Sequence, residues 1–426
     1  MHRRTIITII AVFAAVTAFA TKSEDNCSVD TATVKLYRNG AVTTQLTIDS
    51  ITVEETLGPV IPGRNVAMIM LVYDSLISKS RQILVINGKE TPLPMPDNEE
   101  DYTPTFIGYS NDNLYVVGQR QTDKGKLASW TWNYEYAVWK NFEYQYTISD
   151  NRFVCPFGID ICLDGEDLYL FGSTSTSLSE ADSGKDYVFF FKNNEKAKIL
   201  TAYGQSNVID VFDVEKGKVY VAYMSRLSSS YHSTSSAWSQ GQITELWCDG
   251  ESYYLQRVDR SKLIYNNGMK VHNGVAHIVG YTDLLGGYFN GKTERLISAY
   301  YYDGNSTHED PYYNKNYCIN IDEYGNVYIV SHRKELDDQE DAFVVLKNGS
   351  ELYELPDGEP NWLESFSSGA KKPRIFFDGS DVYVLARGFH KGEDEEYHYN
   401  DMIWKNNQLF WKSGDRYPQI YKIVIY

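Results

Sequence analysis

Two short stretches, Leu168-Tyr169-Leu170-Phe171-Gly172 and Phe190-Phe191-Lys192-Asn193-Asn194, decide how the rest of the chain is interpreted. The first places apolar residues around a tyrosine, which is typical of a β-strand. The second is an aromatic strand that ends in asparagines, which favour the positive φ angles of tight hairpin turns. Together they predict a strand, a long loop and a second strand that closes in a tight turn.

Both stretches recur along the chain, which makes this a repeat protein. Copies of the tyrosine strand begin at residues 114, 168, 219, 275, 327 and 382, in steps of 54, 51, 56, 52 and 55 residues, and residues 66–72 form a more degenerate copy. Copies of the strand with its turn occupy residues 36–40, 85–88, 138–141, 190–194, 246–250, 301–304, 346–349 and 404–407. A third element, a strand closed by another tight turn, precedes the tyrosine strand at residues 162–165, 271–274, 321–325 and 376–379.

Each unit therefore has four antiparallel strands in about 52 residues, which is the pattern of a β-propeller blade. Eight hairpins of the Lys-Asn-Gly kind favour eight blades, and seven is the alternative. The terminal residues 421–426 also form a strand, whereas the hairpin of residues 34–48 lacks preceding strands. We expect the two to share one blade and close the ring, because closure removes exposed sheet edges. An open solenoid or tandem sandwiches fit the repeat length less well.

The repeat resembles a loosely defined group of secreted bacterial propeller-like proteins of unassigned function, with units of the form Asp-Val-Tyr-Val-x-Gly and Trp-Lys-Asn-Gly. The resemblance covers nearly all of residues 30–426 and implies the fold, but it implies no particular activity. Residues 1–20 have a basic start, an apolar run and an Ala-x-Ala end, and they are predicted to be a signal peptide. An N-terminal anchor helix is the alternative. Residues 21–30 are then a leader and residues 31–426 the propeller domain.

Composition limits the partners. The chain has 426 residues and a formal net charge of −17, and cleavage after residue 20 would remove Arg3 and Arg4 and lower the charge to −19. Such acidity argues against nucleic acid, whose backbone needs clustered positive charge. No later segment is apolar enough to span a bilayer. We therefore expect an exported monomer, periplasmic, secreted or at the cell surface, with a glycan or a protein as its ligand.

Neither cofactors nor structural metals are expected. The five cysteines, Cys27, Cys155, Cys162, Cys248 and Cys318, have no zinc-like spacing. Cys155 and Cys162 could pair across a turn, or they could be buried thiols. Carboxylate runs at residues 337–341 and 393–396 would suit Ca²⁺, but they lack the EF-hand spacing and are better interpreted as solvated loops.

The candidate binding residues lie where the long loops begin, since function in scaffolded folds concentrates on such loops. Four arginines follow the tyrosine strands and could converge on an anionic group at the central mouth, or each could pair with a local acid. Exposed aromatic residues there could stack on sugar rings, or they could pack over the rim. His332 and His390 are weak candidates for a general base. The candidate ligand-binding residues are Arg120, Arg226, Arg333, Arg387, Trp130, Trp132, Tyr231 and Trp238.

Two functions remain open. One is a non-enzymatic binding protein that presents its long-loop face to a ligand. The other is a carbohydrate-active lyase or hydrolase that acts on an acidic polysaccharide at the central mouth. No nucleophile elbow, P-loop or dinucleotide fingerprint is present. Binding is therefore the favoured function.

Overall fold

The computed structural model contains two compact units, residues 1–57 and residues 58–426, each described here by itself. The structure describes residues 4–11, 14–22, 28–38, 41–48, 51–52, 57–74, 79–94, 102–122, 133–154, 157–174, 187–201, 208–226, 242–249, 251–257, 262–284, 296–304, 307–310, 313–333, 342–356, 374–391, 397–413 and 419–426. All regular structure in these residues is β-strand. Among them there is no helix long and apolar enough to cross a membrane.

The first unit is one antiparallel sheet. Its strands are β1 (Arg4–Ala11), β2 (Ala14–Lys22), β3 (Ser28–Arg38), β4 (Ala41–Ile48) and β5 (Ile51–Thr52). Strands β1 to β4 are paired in chain order, and β5 pairs with β3.

The second unit consists of seven antiparallel sheets of four strands, arranged as the blades of a propeller. Blade 1 contains β6 (Val66–Asp74), β7 (Lys79–Ile86), β8 (Lys89–Glu90) and the last strand, β33 (Gln419–Ile425). The other six blades follow in chain order. Blade 2 contains β9 (Thr103–Ser110), β10 (Asn113–Thr122), β11 (Asn133–Lys140) and β12 (Glu143–Val154). Blade 3 contains β13 (Phe157–Asp164), β14 (Asp167–Thr174), β15 (Tyr187–Lys192) and β16 (Lys198–Thr201). Blade 4 contains β17 (Val208–Glu215), β18 (Lys218–Arg226), β19 (Gln242–Cys248) and β20 (Glu251–Arg257).

The remaining three blades have the same composition. Blade 5 contains β21 (Lys262–His272), β22 (Val275–Leu284), β23 (Leu296–Tyr302) and β24 (Thr307–Asp310). Blade 6 contains β25 (Tyr313–Ile321), β26 (Val327–Arg333), β27 (Ala342–Lys347) and β28 (Ser350–Glu354). Blade 7 contains β29 (Arg374–Asp378), β30 (Asp381–Lys391), β31 (Tyr397–Lys405) and β32 (Gln408–Lys412).

The propeller predicted from the sequence is confirmed. The C-terminal strand β33 does close the ring, but it shares its blade with β6, β7 and β8, so the predicted partner, the hairpin of residues 34–48, is wrong. The preferred count of eight blades is wrong, and the alternative of seven is the observed one. The reason is the hairpin of residues 34–48. The closing strand β33 pairs with β6 and not with this hairpin, so the hairpin adds no blade. The ring's strands begin at Val66, well after the predicted domain boundary at residue 31.

A repeated asparagine explains the Lys-Asn part of the motif. In blade 3, Asn193 has a φ of 51°, and its backbone N–H donates to the carbonyl oxygen of Leu168 at 2.8 Å. Its side chain accepts from the N–H of Leu168 at 2.9 Å and donates to Asp167 at 2.9 Å. The same bonds are made by the equivalent turn residues Asn87, Asn141, Asn348 and Asn406. Each asparagine ties the turn between the third and fourth strands to the start of the second, so both tight turns lie on one face of the ring.

The first strands (β9, β13, β17, β21, β25, β29 and β33) line the interior of the ring. The first strand of each blade packs against the preceding blade, in most cases against its first strand. The pairing register with the second strand is shifted at corresponding points of β9, β13, β17, β21, β25 and β33. Such bulges increase the local twist and redirect the next side chain.

Apolar side chains fill the space between neighbouring blades. The cluster between blades 2 and 3, for example, combines Phe106, Val117 and Val138 with Leu170 and Phe189, all of them buried. Aromatic and branched residues of the strands therefore face adjacent blades, as expected for sheets that pack face to face.

Candidate functional site in the ring interior

The four arginines predicted to converge lie in second strands, not in the loops after them. Their cross-strand partners on the third strands are Glu135 for Arg120, Gln242 for Arg226, Ala342 for Arg333 and Asp401 for Arg387. The tyrosine strands continue further than predicted, because backbone pairing with the third strands extends to these arginines. The second strand is also one strand removed from the ring interior, so these positions do not line it.

The two arginines whose side chains are described make ion pairs within their own blades. Arg120 lies 2.8 Å from Glu135 and stacks over the ring of Tyr102. Arg333 lies 2.6 Å from Glu351 and 2.9 Å from Glu354. The structure therefore does not bring these two guanidinium groups together, and local acids partly neutralise both.

The remaining sequence candidates are described less fully. The side chains of Arg226, Arg387 and His390 lie outside the described part of the structure, as do the residues Trp130, Trp132, Tyr231 and Trp238. His332 is buried in blade 6, where its ring stacks on Phe343 with centroids 5.2 Å apart.

A different set of charged side chains occupies the interior. In blades 2 to 7 one residue pair closes the first tight turn, such as Asp164 with Asp167. In blade 1 the corresponding pair is Tyr426 with Asn65, at the end of β33. The residue four positions before this pair on the first strand occupies one height of the ring. Three of these residues are charged: Asp160 in blade 3, Arg374 in blade 7 and Lys422 in blade 1. The other four are Phe106, Val211, Gly268 and Cys318. We call Asp160, Arg374 and Lys422 the axial cluster.

Contacts of Lys422 show that this cluster lies near the axis. Its Nζ is 3.2 Å from the Oδ1 of Asp160, although the two residues belong to blades separated by blade 2. On the way it passes over the ring of Phe106, 5.5 Å from the centroid. The N–H of Ile161 donates to the same Asp160 oxygen at 2.9 Å. A direct contact past an intervening blade is possible only where the first strands converge.

The cluster perturbs its own ionisation. Desolvation acts to raise the pKa of Asp160, but Lys422, Arg374 and the Ile161 amide outweigh it and hold the pKa below its usual value. Desolvation and the neighbouring Arg374 lower the pKa of Lys422 to about 8, against the opposing effect of Asp160. Desolvation also lowers the pKa of Arg374. Asp160 nevertheless has 56% of its side chain exposed, because the ring interior is accessible to solvent yet enclosed by protein.

Arg374 differs from the other two members. Lys422 and Asp160 bind each other, whereas Arg374 has no hydrogen-bond or ion-pair partner within the described residues. It is partly exposed and lies on the blade adjacent to Lys422. The cluster thus holds two cations and one carboxylate, and one of the two cations, the guanidinium of Arg374, has unused donors.

A second polar chain lies two residues further along the first strands. Asp213 is buried and accepts from the N–H of Val271 at 2.7 Å and from the Nζ of Lys270 at 3.0 to 3.3 Å. The thiol of Cys162 lies 3.5 Å from the same carboxylate. Cys162 is a free thiol, and burial, followed by the charge of Asp213, raises its pKa. This chain joins three consecutive blades and uses its charges internally, so it serves structure.

Acidic residues that close the first turns are also engaged. Asp164 accepts from the N–H of Gly217 at 2.5 Å in the next blade. Glu215 accepts from the N–H groups of Asn273 and Gly274 at 2.7 and 2.6 Å. Asp378 pairs with Arg64 at 2.7 Å. These carboxylates link adjacent blades. The described residues contain no group of three or more His, Cys, Asp or Glu that could hold a metal ion.

Sequence reasoning missed the axial cluster because two of its members lie inside apolar strands and Arg374 begins a strand. A charge between apolar residues, as in Ile159-Asp160-Ile161 or Tyr421-Lys422-Ile423, is the signal that could have found the first two. The equal offset of the three residues from the last pair of their strands becomes visible only when the blades are aligned on that pair.

Comparison with known proteins finds no family and only distant structural likenesses. No protein-family model matches the chain, and no curated protein matches it. Among solved structures, the polysaccharide lyase Uly1 is 13% identical, covers 93% of this chain and 89% of that chain, and has a TM-score of 0.41. The β-propeller domain of the Trilobed protease from Pyrococcus furiosus is 12% identical, with 82% and 94% covered and a TM-score of 0.38. A levansucrase from B. megaterium is 11% identical, with 65% and 87% covered and a TM-score of 0.30. Likenesses this distant carry no information about activity or ligand.

Proposed function

We propose that this protein is an exported binding protein without catalytic activity, which presents its long-loop face to a glycan or protein ligand and holds an anionic group of that ligand at the axial cluster. The observation that carries the proposal is Arg374, which has no partner among the described residues and lies beside Lys422 in the ring interior. Export rests on the predicted signal peptide of residues 1–20.

Charge and chemistry favour an anion at this point. The axial cluster has one positive charge in excess, although the chain as a whole carries −17. A guanidinium offers paired donors that suit a carboxylate, and an enclosed setting strengthens the attraction. Acidic sugars and acidic side chains of proteins both supply carboxylates, so both ligand classes remain within the proposal.

The test is calorimetric titration of the purified chain with glucuronate, using glucose as the neutral probe. We expect glucuronate to bind measurably more tightly than glucose. Arg374→Gln should weaken glucuronate binding about 10- to 100-fold, the equivalent of about 1.5–3 kcal/mol for a charge-assisted hydrogen bond. Arg81→Gln is the matched control, because Arg81 pairs with Glu90 on the exposed part of blade 1. Equal binding by the wild type and Arg374→Gln would refute the proposal.

A carbohydrate-active enzyme is the second candidate, and one observation favours it. The pKa of Lys422 is about 8, so this lysine loses its proton nearer to neutral pH than an ordinary lysine does, and it lies beside Arg374. A lyase needs a cation to neutralise the uronate carboxylate and a base to remove the adjacent proton. Incubation with polygalacturonate, followed by ultraviolet absorbance of the unsaturated product, tests this candidate. Product that is absent with Lys422→Met would replace the binding-only function.

A further inference from the structure

We infer that Asp160 determines the class of anion that the ring interior accepts, which is a singly charged carboxylate in preference to a doubly charged anion such as free sulfate. This inference rests on the proposed function and specifies its ligand. It follows from the position of a negative charge inside a site that is otherwise cationic.

The carboxylate of Asp160 is fixed in place. Its Oδ1 accepts from the Nζ of Lys422 at 3.2 Å and from the N–H of Ile161 at 2.9 Å. More than half of the side chain is exposed to the ring interior. An anion that approaches Arg374 and Lys422 therefore meets the charge of Asp160 as well.

The residues at the same height supply no other charge. Phe106, Val211, Gly268 and Cys318 complete this level of the ring, and Phe106, Val211 and Cys318 are buried. With Asp160 ionised the axial cluster carries +1, so a monoanion brings the level to neutrality. A dianion would leave one negative charge in an enclosed setting, which is unfavourable.

The size of the effect follows from Coulomb's law. At a separation of about 7 Å and an effective dielectric constant of about 20, each additional unit charge that faces Asp160 changes affinity on the order of 10- to 50-fold. Neutralising Asp160 should therefore shift the ratio of sulfate affinity to glucuronate affinity by about that factor toward sulfate.

The experiment compares calorimetric titrations of glucuronate and sodium sulfate into the wild type and Asp160→Asn at constant ionic strength. We expect the wild type to prefer glucuronate and the variant to shift at least about tenfold toward sulfate. Asp160→Glu retains the charge and should retain the wild-type preference. An unchanged ratio in Asp160→Asn, with glucuronate still bound in an Arg374-dependent way, would overturn the inference and leave the proposed function standing.

The double variant Asp160→Asn with Lys422→Gln separates charge count from shape. The single variant leaves Lys422 without its carboxylate partner and could fold poorly for that reason. The double variant contains neither the carboxylate nor the ammonium group, so it leaves no such unpaired charge. The cluster again carries +1, now from Arg374 alone, and the preference for glucuronate should return. Should the double variant instead prefer sulfate, the charge-balance explanation is wrong. If glucuronate fails to bind the wild type at all, the proposed function itself fails.

Discussion

Replacing Asn193 by alanine should destabilise the propeller by about 3.5 kcal/mol. Three side-chain hydrogen bonds are lost. The bonds with the N–H of Leu168 and with Asp167 contribute about 1 kcal/mol each, and the longer bond from the hydroxyl of Tyr146 about 0.5 kcal/mol. Alanine must also adopt the φ of 51°, which costs about 1 kcal/mol more in the left-handed region for a residue with a Cβ and no local side-chain bond.

Glycine at the same position separates the two contributions. Asn193→Gly loses the three hydrogen bonds but accepts the positive φ without strain, so we expect a loss of about 2.5 kcal/mol. Asn194→Ala is the matched control. Asn194 is the adjacent exposed residue and makes no such bonds, so its replacement should change stability by less than about 0.5 kcal/mol.

Urea denaturation followed by circular dichroism and by tryptophan fluorescence measures these differences, and coincident transitions are required for the comparison. Wild-type stability in Asn193→Gly would show that the hydrogen bonds contribute nothing and that the repeat selects asparagine for its φ alone. If Asn193→Ala matched Asn194→Ala, the whole account of the turn would be wrong.

Three further perturbations test the ring and its interior. Asp401 is buried and accepts from the N–H of Ile420 at the closing strand, so Asp401→Ala should cost about 2–4 kcal/mol in urea denaturation, and a loss below about 0.5 kcal/mol would contradict its role in closure. Desolvation would raise the pKa of Glu215, but backbone N–H donors of the next blade outweigh it and lower the pKa. The carboxylate therefore stabilises the fold above about pH 4.5, and this stabilisation is lost as the pH falls through the folded pKa. Glu215→Gln should make stability less dependent on pH on the acid side, and an unchanged dependence would argue against the link between the two blades. Lys422 has a pKa of about 8 in the folded protein, below its unfolded value of about 10.5, so the fold disfavours its cationic form. The stability of the wild type relative to Lys422→Met should therefore rise between pH 8 and 10.5, while the affinity for glucuronate falls over the same range. If stability and affinity instead changed in the same direction, this assignment would be refuted.

Much of the fold is encoded locally and could be predicted. A tyrosine between aliphatic residues favours a strand whatever surrounds it, and Asn87-Gly88 or Asn348-Gly349 makes a tight turn because both residues adopt positive φ. Strands and turns repeated every 51 to 56 residues are sufficient to predict a propeller. The blade count was harder, because the hairpin of residues 34–48 contains the local pattern of a blade, whereas the pairing of β33 with β6 joins opposite ends of the ring.

The candidate site depended on information that no single stretch contains. The sequence by itself determined that strands such as residues 168–172 would be second strands and that asparagine turns would close each blade, because backbone propensity and side-chain bonding act within a few residues. Only the tertiary structure decided that Lys422 pairs with Asp160 and that Arg374 lies near enough to lower the pKa of both. The three residues lie far apart in the chain and share only an equal distance, four residues, from the last pair of their strands. Ring closure by β33 converts that equal distance into one height near the axis. Near the axis, charges that are isolated within their own strands become neighbours, and their electrostatic fields combine.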